Sequence, residues 1–294
     1  MSIGLICPSC KNDVTLSEDY VQCIDCNNNY SITDGIAQLF MPTNWKESKK
    51  DVTDIVHQFY EDTPFPNYED MEGINDLVTK SEMGYYAKFI NEQTPFNVNV
   101  LEVGCGTGQL ANYLGLAKRN VVGTDMCLNS LRLAEAFRHK HNISNTKFYQ
   151  MNLFNPIFVE NSFHLVICQG VLHHTSDPYL GFQSISKLVK KGGYIIIGLY
   201  NKYGRLITDA RRFFFRITGD NLKFIDPRLK KTDRGILKRE SWFNDQYKHP
   251  HESKHTIDEV LNWFDSNDFE FINSIPKSKP FMPFTINEKL FNPI

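Results

Sequence analysis

The stretch LEVGCGTGQLANYLG, from Leu101 to Gly115, sets three glycines at alternate positions, Gly104, Gly106 and Gly108. Before it, NVNVLEVG is rich in β-branched residues bounded by polar ones and predicts a buried parallel strand. After it, TGQLANYLGLAKR has helical spacing and predicts a helix opening at Thr107 or Gly108. Strand, glycine turn and helix form the first half of a doubly wound α/β sheet, whose ligand lies outside the carboxyl end of the strand. The next strand, NVVGTD, ends on Asp125, twenty-one residues after Gly104, where a carboxylate can accept both hydroxyls of a ribose.

What is missing narrows the ligand. A phosphate loop needs Gly-Lys-Ser/Thr after its glycines, and here Gly108-Gln109-Leu110 follows. A dinucleotide turn places two residues before its third glycine, whereas these glycines alternate. Glu102-Val103-Gly104-Cys105-Gly106-Thr107-Gly108 resembles the first motif of class I methyltransferases dependent on S-adenosylmethionine (SAM). The resemblance implies that Glu102, Gly104, Cys105, Gly106 and Gly108 lie along the amino-acid tail of SAM, and that Asp125, with Met126 beside it, binds the ribose. Lys147 to Met151 predicts a third strand, followed by Asn152 and Leu153. Many family members carry Asp at the first of these, and Asn152 can still bond an adenine edge. SFHLVICQGVLHHTSDP predicts a fourth strand ending near Gln169, expected among the cofactor contacts, and resembles the family's Gly-Val-Leu-His-His segment, while KKGGYIIIGLY predicts a fifth after a helix ending at a Gly-Gly turn. The implied fold is a Rossmann-like, seven-stranded methyltransferase sheet.

Seven cysteines divide into four near the N-terminus and three scattered ones, a distribution unlike a secreted disulfide scaffold. CPSC and CIDC, twelve residues apart, place Cys7, Cys10, Cys23 and Cys26 as two knuckles able to complete a sulfur tetrahedron around Zn²⁺. Four free thiols in a disordered tail are the alternative, disfavoured because clustered thiolates oxidise. Together with Tyr30, Ile32, Asp34, Gly35 and Ile36, this segment resembles the small zinc-ribbon subunits that activate methyltransferases, with Ala37 where that family has proline. The resemblance implies a structural zinc and admits a protein partner through the ribbon. The expected domains are a zinc ribbon over 1–42, linker and helices over 43–95, and a methyltransferase domain over 96–294 with a substrate-side insertion at about 201–254.

With 294 residues, 41% of them hydrophobic, the chain can bury one substantial core and a small module. No apolar run approaches the roughly 20 residues that span a bilayer, and the N-terminus lacks a secretory pattern, so a cytoplasmic location is expected. Net charge is −2, but residues 205–239 hold eleven Lys/Arg against four Asp, a block of +7 on a body of −9. Such a block suits an anionic ligand met at one place or, equally, a solvated face.

Asp51 to Asp62 has helical spacing that stops at Pro64 and Pro66. Tyr60, Phe65 and Tyr68 then either cover the cofactor or form a packed plug, and a further helix is expected over 75–93. His173 and His174 are the candidate general bases at the exit of the fourth strand. Substrate contacts are expected from Tyr200, Asn201, Tyr203, Arg205, Arg211 and Arg212 after the fifth strand, and from Tyr247 and His249 before the final helix. A helix over 205–219 contains Phe213, Phe214 and Phe215, read as core packing of a lid, with contact to a membrane surface as the rival. A second metal at His249, His251 and His255 is disfavoured. The last helix, HTIDEVLNWFDSND, is followed by a predicted strand, FEFINS.

The leading functional reading is a SAM-dependent methyltransferase acting by O- or N-transfer on a small or carrier-linked, anionic metabolite. The alternatives are an RNA base methyltransferase, and a non-catalytic activating or binding subunit. Against RNA stand the acidic body and Gln169-Gly170-Val171-Leu172 in place of an Asn/Asp-Pro-Pro-Tyr exit; against the subunit stand the intact glycines and Asp125.

Overall fold

The computed structural model describes residues 3–45, 51–62, 68, 71–218, 226, 240 and 242–277. At the N-terminus, β1 (Val14–Leu16), β2 (Tyr20–Cys23), β3 (Asn29–Thr33) and β4 (Ile36–Gln38) pair in succession, all antiparallel. The β3–β4 turn is Asp34-Gly35, with φ of 54° and 77°. Two successive residues at positive φ match the right-handed twist of the flanking strands, which is why Asp-Gly suits this hairpin.

Five parallel strands follow: β5 (Asn99–Val103), β6 (Asn120–Asp125), β7 (Thr146–Gln150), β8 (Phe163–Gln169) and β9 (Val189–Gly198). The whole sheet has nine strands in the order β1-β2-β3-β4-β7-β6-β5-β8-β9. β4 pairs parallel with β7, Ala37 opposite Tyr149 and Gln38 opposite Gln150, so the cysteine segment continues the sheet.

The seven-stranded expectation is therefore corrected. Phe269 to Ser274 forms no strand: the Phe269 N–H bonds the Phe264 carbonyl, its ring packs near Phe182, and Phe271 stacks on Phe264 at 6.4 Å. The segment packs Phe269 against the core and leaves Phe271 exposed, and the sheet gains its extra members at the other edge.

The helices are α1 (Thr53–Asp62), α2 (Ile74–Met83), α3 (Tyr85–Gln93), α4 (Gln109–Gly115), α5 (Leu128–Lys140), α6 (Pro178–Ser186), α7 (Leu206–Thr218) and α8 (Ile257–Asp265). The single helix expected over 75–93 is two, because Gly84 takes an extended ψ of 129° between them. Asp177 caps α6 by accepting from the Leu180 N–H at 3.0 Å, with Pro178 at the first helical position. Among the described residues, no helix is long and apolar enough to cross a membrane.

Successive side chains of the parallel strands alternate between two buried layers. Val100, Val121, Leu165 and Ile167 pack with Leu114, Leu131 and Phe137 on one face. Leu101, Val103, Val122 and Val166 pack with Phe182, Ile185 and Trp263 on the other. Val21, Ala37 and Leu39 of the cysteine segment belong to that second layer. Each fully buried Leu or Phe of this kind contributes about 1.5–3 kcal/mol, so the segment is held by apolar burial as well as by backbone pairing.

Candidate active site at the carboxyl edge of the sheet

The glycine turn lies between β5 and α4. Gly104, Gly106 and Gly108 all have positive φ, of 69°, 53° and 70°. A Cβ on Gly104 would stand 2.2 Å from Val171 Cγ2, and one on Gly108 2.6 Å from the Phe148 ring, so two of the glycines are demanded by packing as well as by backbone angle. The Gly104 and Cys105 N–H groups both donate to the Thr124 carbonyl, at 2.7 and 2.9 Å, and the Cys105 side chain is buried.

Asp125, at the end of β6, completes the turn. Its Oδ2 accepts from the Gly106 N–H at 2.8 Å and its Oδ1 from the Cys127 N–H at 2.9 Å. Burial raises its pKa, against the pull of these backbone donors. A carboxylate offers about four acceptor positions, so capacity remains for a ribose beside these backbone donors. Met126 is fixed through its carbonyl, which accepts from Gln150 Nε2 at 2.8 Å. Glu102 is half-buried with its Oε2 enclosed and unpartnered, and desolvation pushes its carboxyl up to about 8. An orphaned carboxyl oxygen beneath a glycine turn and a carboxylate at the end of the next strand fit the donor groups of SAM.

Asn152 is differently employed from the adenine contact expected of it. Its Nδ2 donates to the Met41 carbonyl at 2.7 Å and to Thr43 Oγ1 at 3.0 Å, and its Oδ1 accepts from the Phe154 N–H. The strap after β4 thus occupies that amide. Leu153 packs beside Gly181, and Gln169 is exposed at the end of β8.

Helix α1 crosses this edge. Glu61 Oε1 accepts from the Leu128 N–H at the start of α5 at 3.0 Å, and Tyr60 donates to Asp245 Oδ1 at 3.0 Å. Tyr68 donates to the Thr107 carbonyl of the glycine turn at 2.9 Å and stacks on Phe137 at 4.5 Å. Phe65 lies outside the described residues. Glu61 was not anticipated from the sequence; its contact joins residues 67 positions apart, and no local pattern marks it.

After β8 and β9, rings form a continuous stack. Tyr200 lies 3.8 Å from His173, His173 4.2 Å from His174, and His174 3.6 Å from His249, which meets Phe59 and Tyr60. Arg205 covers the other side of Tyr200 at 3.8 Å. Burial, then the neighbouring imidazoles, pushes His173 and His249 down to about 2, so both are neutral. His174 Nδ1 lies 2.8 Å from the His251 carbonyl. A carbonyl only accepts, so Nδ1 carries the proton and Nε2 the lone pair.

The arginines expected to grip an anionic acceptor hold carboxylates of this chain. Arg205 and Arg212 both bond Glu252 Oε2, at 3.0 and 2.7 Å, and Arg211 faces Asp226 at 3.8 Å. Burial raises the Glu252 pKa, but the two arginines outweigh it and keep the carboxyl low. Asn201 Oδ1 closes a turn by accepting from the N–H groups of Tyr203 and Gly204, and Tyr203 is exposed. Tyr247 bonds Asp226 inside a small ring cluster with Phe215 and Phe243. The structure therefore gathers His173, His174, His249, Tyr200 and Arg205, and leaves Tyr203 and Tyr247 outside that group. Among the described residues, the one cluster able to hold a metal is Cys7, Cys10, Cys23 and Cys26, whose sulfurs lie within 4.8 Å of one another.

Residues 96–260 match a family described as "Methyltransferase domain". The ubiquinone biosynthesis O-methyltransferase of Colwellia psychrerythraea is 32% identical over 141 residues, 45% of this chain and 56% of that protein. An uncharacterized protein of Synechococcus is 22% identical over 201 residues, 59% of this chain and 47% of that one. The chain thus spans about half the length of these curated relatives. Among solved structures, the magnesium protoporphyrin IX methyltransferase of Synechocystis superposes with a TM-score of 0.48 at 15% identity, covering 73% of this chain and 88% of the other. The family match takes in more than half of the chain, from ahead of β5 into α8, and the chain belongs to the class I, SAM-dependent methyltransferases.

Proposed function

We propose that this chain transfers a methyl group from SAM to the hydroxyl of a small acceptor, in a body that also holds a structural zinc at Cys7, Cys10, Cys23 and Cys26. The observation that carries the reading is the bond from the Gly106 N–H to Asp125 Oδ2, which ties together the two parts of the sheet edge that a SAM site joins. When bound, SAM supplies an electrophilic methyl carbon on a sulfonium, and most of the catalysis then comes from positioning the acceptor in line with it. Glu102, Gly104, Gly106, Gly108, Asp125 and Met126 would hold the cofactor, with Tyr60 and Tyr68 closing the site from α1 and the segment after it.

His174 is the base. Its Nδ1–H is held by the His251 carbonyl, so Nε2 is the nitrogen that would take the proton of the acceptor hydroxyl. The pairing of Arg205 and Arg212 with Glu252 supports an uncharged hydroxyl over a phosphate, since an anion would have to displace an internal carboxylate. The O-methyltransferases among the relatives support oxygen as the acceptor atom.

Calorimetry with S-adenosylhomocysteine tests the cofactor half: wild type binds, and Asp125→Ala loses about tenfold or more in affinity, the worth of a charge-assisted hydrogen bond. Labelled SAM with a panel of hydroxyl, carboxyl and RNA acceptors tests the other half. Label in an ether is expected; label confined to RNA or to carboxylates overturns the acceptor assignment. Elemental analysis checks the metal, expected as one zinc per chain in wild type and none in Cys10→Ser/Cys26→Ser.

A further inference from the structure

Helix α7 is amphipathic in the opposite sense from a helix that covers a core. At 100° per residue, Phe213, Leu206, Ile217, Ala210, Phe214 and Ile207 fall on one stripe roughly 120° wide. That stripe faces outward: Leu206 is 61% exposed, Ile207 68%, Phe213 64%, Phe214 55% and Ile217 67%. The inward side carries Phe215, packed on Phe243 and Tyr247, and Arg212, bonded to Glu252. Of the three phenylalanines expected to pack beneath a lid, only Phe215 is buried.

Five large apolar side chains gathered on one helix are more than the single exposed hydrophobics of an ordinary surface, and mark a contact face. Its charge surroundings say which kind. At the same spacing Arg211, which faces Asp226 at 3.8 Å, borders the stripe on one side, and Asp209, bonded by Lys254, and then the exposed Arg216 lie beyond its other edge; α7 carries three arginines against one aspartate. A basic, apolar-faced helix is drawn to an anionic surface, and the acidic body orients it with the helix leading. A second copy of the chain would bring the same excess of arginine against the same face, so like charge opposes self-pairing there.

We propose that α7 docks on an anionic lipid bilayer, with Phe213, Phe214, Leu206 and Ile217 in the boundary between headgroups and acyl chains and the exposed Arg216 against lipid phosphates. At thirteen residues the helix is about 20 Å long, enough to lie in the interface and too short to span it. Asn201 to Arg205 connects α7 directly to the end of β9, so docking brings Tyr200 and the histidine stack to the bilayer side of the molecule. The docking does not depend on which acceptor is methylated.

Flotation of the full chain with vesicles tests this. Binding is expected to phosphatidylcholine vesicles containing about a third phosphatidylglycerol, weak binding to phosphatidylcholine alone, and loss of binding as salt is raised. Phe213→Ser/Phe214→Ser should lower partitioning by about tenfold or more, since two apolar rings leave the interface. Ile207→Ser/Ile217→Ser should lower it by a smaller factor and guards against a folding defect in the first variant; melting temperatures test both. Equal flotation of wild type and both stripe variants overturns the proposal. So does failure to bind anionic vesicles, or a concentration-dependent oligomer in sedimentation velocity that the stripe variants abolish.

Discussion

The glycine turn and the ring-and-arginine side meet at one edge of the sheet, yet they are held by different means. The glycine turn is a backbone structure: its bonds run from main-chain N–H groups to Thr124 and Asp125, and its partners lie within about twenty residues. The other side is built from side chains far apart in sequence, with Tyr60 meeting Asp245 across 185 positions and Arg205 meeting Glu252 across 47. One region is rigid because glycine geometry leaves it no alternative. The other is ordered only while its buried charges and neutral imidazoles remain matched.

The largest test of that contrast is Glu252→Gln. It leaves Arg205 and Arg212 facing a neutral amide in a largely buried place, and should cost about 3–5 kcal/mol in thermal or denaturant unfolding. Calorimetry on the protein that remains folded should show cofactor affinity nearly unchanged; an equal loss on both readouts would erase the distinction between the two regions. Gly104→Ala comes next, at about 2–3 kcal/mol, from a Cβ forced against Val171 at positive φ. Here cofactor binding should fall with stability, because the turn itself moves.

The third test is pH. His173 and His249 are held at about 2 in the folded protein against an ordinary value of 6.5. Below pH 6.5 the unfolded chain takes up protons that the folded one refuses, so stability drops as pH falls, by about 1.4 kcal/mol per pH unit for each imidazole. Melting temperature measured from pH 7 to 4 should show this slope, and His249→Gln should roughly halve it, leaving the share of His173. A slope unchanged by the substitution would place acid sensitivity outside the ring stack.

The sequence made the first region legible and the second only as a list of parts. NVNVLEVG, the alternating glycines and Asp125 each signal their role within a short window; β5, β6 and the start of α4 appear within two residues of the expected bounds, while α4 ends at Gly115, short of Arg119. Arg205, Arg211 and Arg212 were legible as a cluster but not as partners of Glu252 and Asp226, since charge complementarity between distant residues leaves no periodic trace. Asn152 was read from its place after β7, and its amide is instead occupied by the strap behind β4. The strand expected at Phe269 to Ser274 has strand-like composition, yet its rings are taken up against Phe264 and Phe182, a tertiary preference that local propensity does not register.

The parallel pairing of β4 with β7 has a further consequence. Without it, β7 would close the row of parallel strands with bare amide and carbonyl groups, a template on which another molecule's strand could grow. The small cysteine-bearing hairpins therefore act as a stopper, ending the lateral spread of the sheet in short, twisted strands that are hard to extend into a fibre.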